Sequence, residues 1–269
     1  GMAETEDGDA VADRTLFTDP ALVSVWLISG VTAVGYNAVP VALPAVGEAF
    51  GLTESAIGLV ISAFSVSVLV MLPVVSVSAD IYGRRAVVLP SLLVFGLAGL
   101  ATLFVSSYPA LLVLRVVQGA AFAGTLPLSA ALTGDLYTGA AGSAAQGIRS
   151  GFNGLASAVA PVVAGVLAVL AWQYPFALFA LTFPVAAAVY RYYPEAVAPR
   201  EEGADRLAVE LRAYWANIRT VADRRLAVLL AGGFTLFFLK AGFMTFVPVF
   251  AVVGLGGAVT AAGTVLGVY

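Results

Sequence analysis

Runs of about twenty residues with hardly a charge among them recur along this chain, and they constrain its fold more than any other feature. A bilayer core of about 30 Å needs about 20 apolar residues in an α-helix. Backbone groups in lipid must be satisfied within the segment, and the period-two alternation of a barrel is absent, so helices are predicted. The predicted helices lie near residues 21–45, 54–78, 86–106, 109–133, 148–170, 175–193 and 226–250, and an eighth begins near residue 256.

The composition points to the same class. Hydrophobic residues make up 61% of the 269-residue chain and charged residues 11%. A soluble domain is about half apolar and about a quarter charged. One core cannot hide such an excess of apolar surface, so we predict an all-α membrane protein whose first partner is the lipid bilayer.

Basic residues predict the orientation of the helices, because they concentrate on the cytoplasmic side of membrane proteins. Connections near 46–54, 106–109 and 171–175 hold no Lys or Arg, and only Arg115 and Lys240 lie inside predicted helices. We therefore predict a multi-pass protein of the cell membrane with its N-terminus in the cytoplasm. The other basic residues are assigned to cytoplasmic segments and the helix ends beside them, including the loop 134–147: Arg14, Arg84, Arg85, Arg149, Arg191, Arg200, Arg206, Arg212, Arg219, Arg224 and Arg225.

Four regions follow from this pattern. Residues 1–19 form an acidic cytoplasmic tail that we predict to be disordered. Residues 20–193 form a six-helix bundle, and residues 194–225 form a hydrophilic linker with apolar residues at helical spacing on one face. We interpret the linker as an amphipathic helix at the membrane surface, with docking to a partner as the alternative. Residues 226–269 supply one and a half further helices.

Several classes of function are excluded by residues that the sequence lacks. There is no cysteine and no histidine, which removes disulfides, thiolate metal sites and the usual proton carrier near neutral pH. No phosphate-binding loop, dinucleotide fingerprint, metal-ligand cluster or nucleophile with a base is present. We therefore predict no enzymatic activity, no cofactor, no metal and no nucleic-acid partner. A single lysine with many acids resembles proteins of salt-loving organisms, and a GC-rich genome is the alternative explanation.

Charge gathers at one sharp break between apolar runs, "SVSADIYGRRAVVL" at residues 76–89. An acid at a helix C-terminus is unfavourable unless it is compensated, and Arg84 and Arg85 follow Asp80 closely enough to pair with it. Gly83 permits the tight turn between them. The alternative is that these arginines only set the topology.

Three stretches in the second, fourth and fifth helices carry a resemblance to a known family: "ADIYGRR", "LLVLRVVQGAAFAG" and "ASAVAPVVAG". In their order and helices they resemble signature motifs of the major facilitator superfamily. Asp80, Gly83, Arg84 and Arg85 match the first motif, which in the family latches two six-helix halves together. Asp135 matches an acid that extends this charge cluster. Residues that depart from the first motif are Ser76, Ser78 and Ile81.

The second motif puts a cation inside an apolar helix. Arg115 is followed by Gln118 and Gly119 on the same helical face. An arginine at membrane depth costs several kcal/mol, so we expect it to face the bundle interior and to have a partner. The resemblance implies a place near the coupling site of drug–proton antiporters. The alternative is that the long side chain of Arg115 extends to the membrane surface and keeps its guanidinium group in water.

The third motif is a stripe of small residues in the fifth helix. Ala156, Ala160 and Ala164 stand where the antiporter signature has glycines, and Pro161 and Gly165 are retained. Small residues four positions apart let helices approach closely, and proline bends a helix. The resemblance to this signature favours export over uptake.

Polar and aromatic residues inside the helices are candidates for a substrate cavity. They are Tyr36, Asn37, Phe122 and Asn153, with Lys240 in the seventh helix as a further cation facing the cavity. No acid lies deep in the first six helices, although many proton-coupled relatives carry an aspartate near the position of Asn37. A proton carrier is therefore expected in helices beyond these six.

The resemblance implies a secondary active transporter of small organic molecules that works by alternating access. We expect an ion-coupled efflux antiporter, with a proton or sodium as the coupling ion. Family members have twelve or fourteen helices, so we expect this chain to be a fragment whose C-terminal half is its missing partner. Two alternatives remain: a half-bundle that senses or assembles without transport, and a half-size transporter that works as a homodimer.

Overall fold

The structure, a computed structural model, describes residues 16–194 and 207–213 and the single residues 216, 232 and 235. The chain divides into two compact units, Gly1–Leu207 and Ala208–Tyr269. In the second unit the described segment 208–213 is helical. The predicted seventh and eighth helices, Lys240 and most of the predicted linker lie outside the described residues.

Six helices of the first unit are long and apolar enough to cross a membrane, as the sequence predicts. We number these spans in chain order. The third ends in a 3₁₀ turn at Thr102–Phe104, and the sixth opens with a 3₁₀ segment at Tyr174–Leu181. The spans run over Pro20–Phe50, Glu54–Tyr82, Arg84–Phe104, Tyr108–Leu136, Gly139–Leu170 and Tyr174–Tyr192.

The predicted loop 134–147 is wrong. The fourth span continues to Leu136, and the fifth span begins at Gly139 and not near residue 148. The sequence "GAAGSAA" at 139–145 lacks bulky apolar residues, so hydropathy alone does not mark it as a span. Alanine is nevertheless the best helix former, and Ala145 is fully buried against the first span.

Glycine makes the sharp turn between the second and third spans. Gly83 has φ +94°, a backbone conformation that side-chain-bearing residues rarely adopt. The third span begins at the very next residue, Arg84. The prediction that Gly83 permits a turn here is confirmed.

Contacts between distant residues separate two ends of the bundle. At one end, Arg84 contacts Asp135, and the hydroxyl of Tyr137 donates to Asp19 over 2.7 Å. We call this the charged end. At the opposite end, the hydroxyl of Tyr108 donates to the carbonyl oxygen of Ala56 over 2.7 Å. The six helices therefore alternate in direction.

The first span forms the centre of the bundle and packs along the fifth. The side chain of Asn37 donates to the Ser157 hydroxyl over 3.2 Å, and Gly165 faces Val41. On the same side of the fifth span, Ala160 and Ala164 are buried, while Ala156 and Pro161 are partly buried. The small-residue stripe thus lies at this helix contact, and the helix is continuous through Pro161.

Large apolar side chains cover the outward faces of the second and fifth spans. Exposed examples are Val66, Leu69 and Val70 on the second span, and Val162, Val166 and Val169 on the fifth. A soluble protein rarely exposes such continuous apolar surface. Lipid accommodates it, because every backbone group within a helix is already paired.

Candidate functional site

The cation of the fourth span lies inside the bundle. Arg115 is 4% exposed, and the centre of its guanidinium lies 4.6 Å from the centroid of the Phe64 ring on the second span. Its Nη1 donates a hydrogen bond to Oε1 of Gln118 over 2.5 Å. Arg115 therefore does not reach the membrane surface, and both of these partners are electrically neutral.

Arg115 and Gln118, which we call the Arg115 pair, retain hydrogen-bond donors that no described residue uses. Nε of Arg115 and Nε2 of Gln118 are buried, and neither has a hydrogen-bond partner within the described part of the chain. Buried donors without acceptors are costly in a bundle of low dielectric constant. Beside them, a Cβ at Gly119 would overlap the carbonyl oxygen of Phe64, so glycine allows the second and fourth spans to approach closely.

An aromatic cluster adjoins Arg115. The ring of Tyr36 lies 5.7 Å from that of Phe64 and 5.5 Å from that of Phe122. Tyr36 is 42% exposed and Phe122 is half-buried, so one side of the cluster is open. The structure thus brings together four residues that the sequence nominates, Tyr36, Arg115, Gln118 and Phe122, and adds Phe64.

A second polar group, which we call the Arg149 group, lies where the first, fourth and fifth spans meet. Nε of Arg149 donates to Oε1 of Gln146 over 2.8 Å, and its Nη1 donates to the hydroxyls of Ser29 at 3.4 Å and Ser129 at 3.3 Å. Asn153, a predicted cavity residue, donates to the carbonyl oxygen of Ser29 over 3.5 Å. This group does not include the Arg115 pair.

The predicted position of Arg149 at a helix end beside the loop 134–147 is wrong. Arg149 is the eleventh residue of the fifth span and is half-buried, with acceptors on the first, fourth and fifth spans. The error follows from the predicted loop 134–147, because a helix start near 148 places Arg149 at a helix end. The helix-forming alanines that follow Gly139 are the sequence signal that would have indicated the earlier start of the fifth span, and with it the position of Arg149.

The Arg149 group borders a cavity of about 390 Å³ that is open on one side, where Pro127 and Ser150 are exposed. Its polar walls are Arg149, Ser150 and Asn153 on the fifth span. Its apolar walls are Leu126, Pro127 and Ala130 on the second half of the fourth span. Asn37 lies further along the first span, where its amide donates to the carbonyl oxygen of Ala33 over 2.8 Å.

The charged end holds the residues of the first motif, in pairings that differ from the predicted ones. Nη1 of Arg84 lies 3.0 Å from a carboxylate oxygen of Asp135. Nη2 of Arg85 donates to the carbonyl oxygen of Tyr190 over 2.6 Å, and its guanidinium lies over the Tyr190 ring. Asp80 is exposed, and no ion pair joins it to either arginine within residues 16–194. The predicted pairing of Asp80 with Arg84 and Arg85 is therefore wrong, because the third span begins at Arg84 and places that side chain beside the fourth span.

Tyr193 completes the cluster of Arg84 and Asp135. Burial, the negative charge of Asp135 and a hydrogen bond to that carboxylate raise the pKa of Tyr193 to about 12, against an opposing effect of Arg84. Its hydroxyl also donates to the carbonyl oxygen of Leu132 over 3.4 Å. The cluster thus ties the end of the sixth span to the fourth.

The raised pKa of Tyr193 predicts a loss of stability in alkali. The neutral phenol is favoured in the fold, so its contribution is complete below the unfolded pKa near 10 and disappears as the pH rises towards 12. Tyr193→Phe should remove this part of the decline, on the order of 1 kcal/mol. The measurement is unfolding in detergent across this pH range, together with phenolate absorbance in the near ultraviolet. Tyr190→Phe, which removes an exposed phenol from the same helix, should leave the decline unchanged, and an equal effect of both variants would contradict the assignment.

A further contact at the charged end anchors the start of the first span. Asp19 caps the helix by accepting from the backbone N–H groups of Ala21 and Leu22, and it also accepts from the Tyr137 hydroxyl. This hydrogen bond raises the pKa of Tyr137, with smaller contributions from burial and from the charge of Asp19. No local sequence pattern indicates this contact, because its partners are 118 residues apart.

A comparison with known protein families identifies the family of this chain. A family model described as "Major Facilitator Superfamily" matches residues 25–269. The chain belongs to the major facilitator superfamily. Its all-α fold with six candidate spans agrees with that membership, which makes it a multi-pass membrane protein of a transporter family.

Curated transport proteins resemble this chain over part of its length. A bacillibactin exporter of Bacillus subtilis is 31% identical over 141 residues, which is 50% of this chain and 35% of the exporter. A probable sulfoacetate transporter of Cupriavidus necator is 34% identical over 51% of this chain and 32% of its own length. A 3-(3-hydroxy-phenyl)propionate transporter of Escherichia coli is 30% identical over 41% of this chain and 27% of its own length. The chain spans about a third of the length of these relatives.

Proposed function

We propose that this chain is the N-terminal part of an ion-coupled secondary transporter that exports small organic molecules across the cell membrane. Membership of the superfamily supports membrane transport. The names of relatives support export, since they include an exporter and efflux pumps. The proposal extends to alternating access between this bundle and a second six-helix bundle, the C-terminal half of the same protein.

The observation that carries this proposal is the buried Arg115. A cation in a membrane bundle costs several kcal/mol, and its two contacts, Gln118 and Phe64, return only part of that cost. The donors that stay unpaired among the described residues can bind a carboxylate of the second bundle or a polar group of the substrate. Tyr36 and Phe122 then offer apolar and aromatic surface for the substrate beside this cation.

Residues of the charged end are proposed to control the conformational change. In our proposal this end faces the cytoplasm, as the distribution of arginines in the sequence favours. Arg84, Arg85 and Asp135 hold the third, fourth and sixth spans together there, and Gly83 fixes the turn. Exposed Asp80 is available for a partner on the second bundle.

The coupling ion is proposed to bind outside the six described spans. In residues 16–194 the carboxylates are Asp19, Glu48, Glu54, Asp80 and Asp135, and all of them lie at helix ends. A proton carrier or sodium ligand at membrane depth is therefore expected in the second bundle. Lys240 is the cation proposed to face the cavity from that side.

Transport by the full-length protein in proteoliposomes tests the proposal. Sulfoacetate, 3-(3-hydroxyphenyl)propionate and a cationic dye serve as probes, with a proton or sodium gradient imposed across the vesicle membrane. We expect at least one probe to accumulate under one of the two gradients and to lose this accumulation when an ionophore dissipates the gradient. Folded protein without accumulation of any probe would contradict transport of these classes, and accumulation that survives the ionophore would contradict ion coupling.

A further inference from the structure

We propose that Arg149 and the cavity beside it form a subsite for the anionic group of the substrate, a carboxylate or a sulfonate. This inference rests on the proposed transport function and names a substrate class for it. Arg149 occupies the wall of a cavity of about 390 Å³, within the range of about 300–1,000 Å³ that is typical of small-molecule sites.

The depth of Arg149 in the membrane makes its environment unusual. The fifth span has 32 residues, and its length of about 48 Å exceeds a hydrocarbon layer of about 30 Å. Arg149 lies about 15 Å from the start of this helix, or about 6 Å inside the hydrocarbon layer when the span is centred on it. An arginine at such a depth normally faces the bundle interior or a water-filled cavity and marks the path of a substrate or an ion.

Among the residues that the structure describes, Arg149 has neutral acceptors only. Its donors Nε and Nη1 are used by Gln146, Ser29 and Ser129. Its Nη2, with two further N–H groups, makes no hydrogen bond to any described residue. Because Arg149 lines the cavity, this edge of the guanidinium is placed for an anion that enters it.

The charge of the whole bundle interior favours the same ligand. Arg84, Arg85 and Arg191 lie at the ends of the described spans, so Arg115 and Arg149 are the cations away from those ends, whereas the carboxylates of residues 16–194 all lie at helix ends. A cleft lined by charge of one sign concentrates ions of the opposite sign. The interior of this half therefore attracts organic anions and repels cations.

The walls of the cavity define the rest of the ligand. Asn153 and Ser150 provide polar groups beside Arg149, and Leu126, Pro127 and Ala130 provide apolar surface opposite them. A small molecule with one anionic end and a compact apolar body fits this division. Ser29, which contacts both Arg149 and Asn153, holds the two polar side chains in place.

Binding to the purified full-length protein tests the inference. Thermal unfolding in detergent is followed with benzoate, benzenesulfonate, neutral benzamide and cationic benzylammonium at matched ionic strength. We expect both anions to raise the unfolding temperature in a saturable manner, and neither benzamide nor benzylammonium to do so. In Arg149→Gln the apparent affinity for benzoate should fall by about tenfold or more, because a charge-assisted contact is lost.

Two further variants make the test decisive. Arg191→Gln removes an exposed arginine at the end of the sixth span and should bind benzoate like the unaltered protein. Arg149→Lys keeps the charge but not the planar fork, and it replaces Arg149→Gln if that variant does not fold. We expect its affinity for benzoate to lie below that of the unaltered protein.

Three results would overturn the inference: stabilisation by benzamide equal to that by benzoate, no stabilisation by either anion, or the same affinity for benzoate in the unaltered protein and in the Arg149 variant that folds. None of them affects the proposed transport function, which is measured as gradient-driven accumulation. Conversely, anion binding that depends on Arg149 in a protein without accumulation would contradict transport and leave the subsite intact.

Discussion

Replacing Arg115 by methionine together with Gln118 by leucine should abolish transport and leave the bundle at least as stable as before. Both side chains are almost fully buried, and each keeps a buried donor that has no acceptor among the described residues. Apolar residues of similar length remove these unpaired donors and the desolvated charge, a change that is often neutral or stabilising by about 1–4 kcal/mol. The substrate, however, loses the cation on which the proposed function depends.

Stability and flux are measured on the same preparation of the full-length protein. Gradient-driven accumulation, divided by the amount of folded protein, should fall by more than about tenfold in the double variant, which corresponds to at least about 1.4 kcal/mol of lost interaction. The unfolding temperature in detergent should be unchanged or higher. Arg191→Met, which removes an exposed arginine, is the matched control and should retain accumulation.

Two other outcomes would contradict a role of Arg115 in transport. If the double variant transports normally, Arg115 has no role in the substrate path, and its burial is only a feature of packing against Phe64. If flux and unfolding temperature fall together, Arg115 supports the fold and not transport. The single variant Arg115→Ala cannot make this distinction, because it leaves Gln118 unpaired and creates a cavity.

The six spans were predictable because their signal is local. Each one is an apolar run of sufficient length, and the bilayer fixes that length. The start of the fifth span was missed because its first turns consist of glycine, alanine and serine, whose helix is stabilised by close packing on the first span and not by hydropathy. The turn at Gly83 was predictable from residue type, since only glycine adopts its φ of +94° easily.

The site was predictable only where spacing along one helix defines it. Arg115 and Gln118 are three residues apart, so their contact follows from helical geometry. Phe64 comes from another span, and the acceptors of Arg149 come from three spans. Which carboxylate pairs with Arg84 also depends on tertiary packing: Asp80 is close in sequence, yet Asp135 is close in space.

Reversing the charge at Asp135 should reduce transport by about tenfold, and exchanging the two charges should restore most of it. Asp135→Arg places two guanidinium groups together at the charged end and removes the acceptor of Tyr193. The double variant Arg84→Asp/Asp135→Arg exchanges the two charges. The turn between the second and third spans then again attracts the fourth span. Recovery should be incomplete, because Tyr193 then retains only the carbonyl oxygen of Leu132.

The magnitude of this effect separates control of the conformational change from stability. The two side chains are 31% and 39% exposed, so their pair contributes only about 0–1 kcal/mol to folding. Asp135→Arg should therefore lower accumulation far more than it lowers the unfolding temperature. Equal flux in the single and the double variant would show that the charges act independently, and the proposed role of the Arg84–Asp135 pair would be rejected.

Asp80→Asn provides the matched comparison at the same end of the bundle. Asp80 is exposed and makes no ion pair within residues 16–194, so its replacement should not change unfolding of this bundle. A loss of accumulation in Asp80→Asn at an unchanged unfolding temperature would place its partner on the second bundle, where the proposed alternating access requires a contact that forms and breaks. Unchanged accumulation would instead restrict control of the conformational change to the contacts of Arg84, Arg85 and Asp135, because those residues already join three spans.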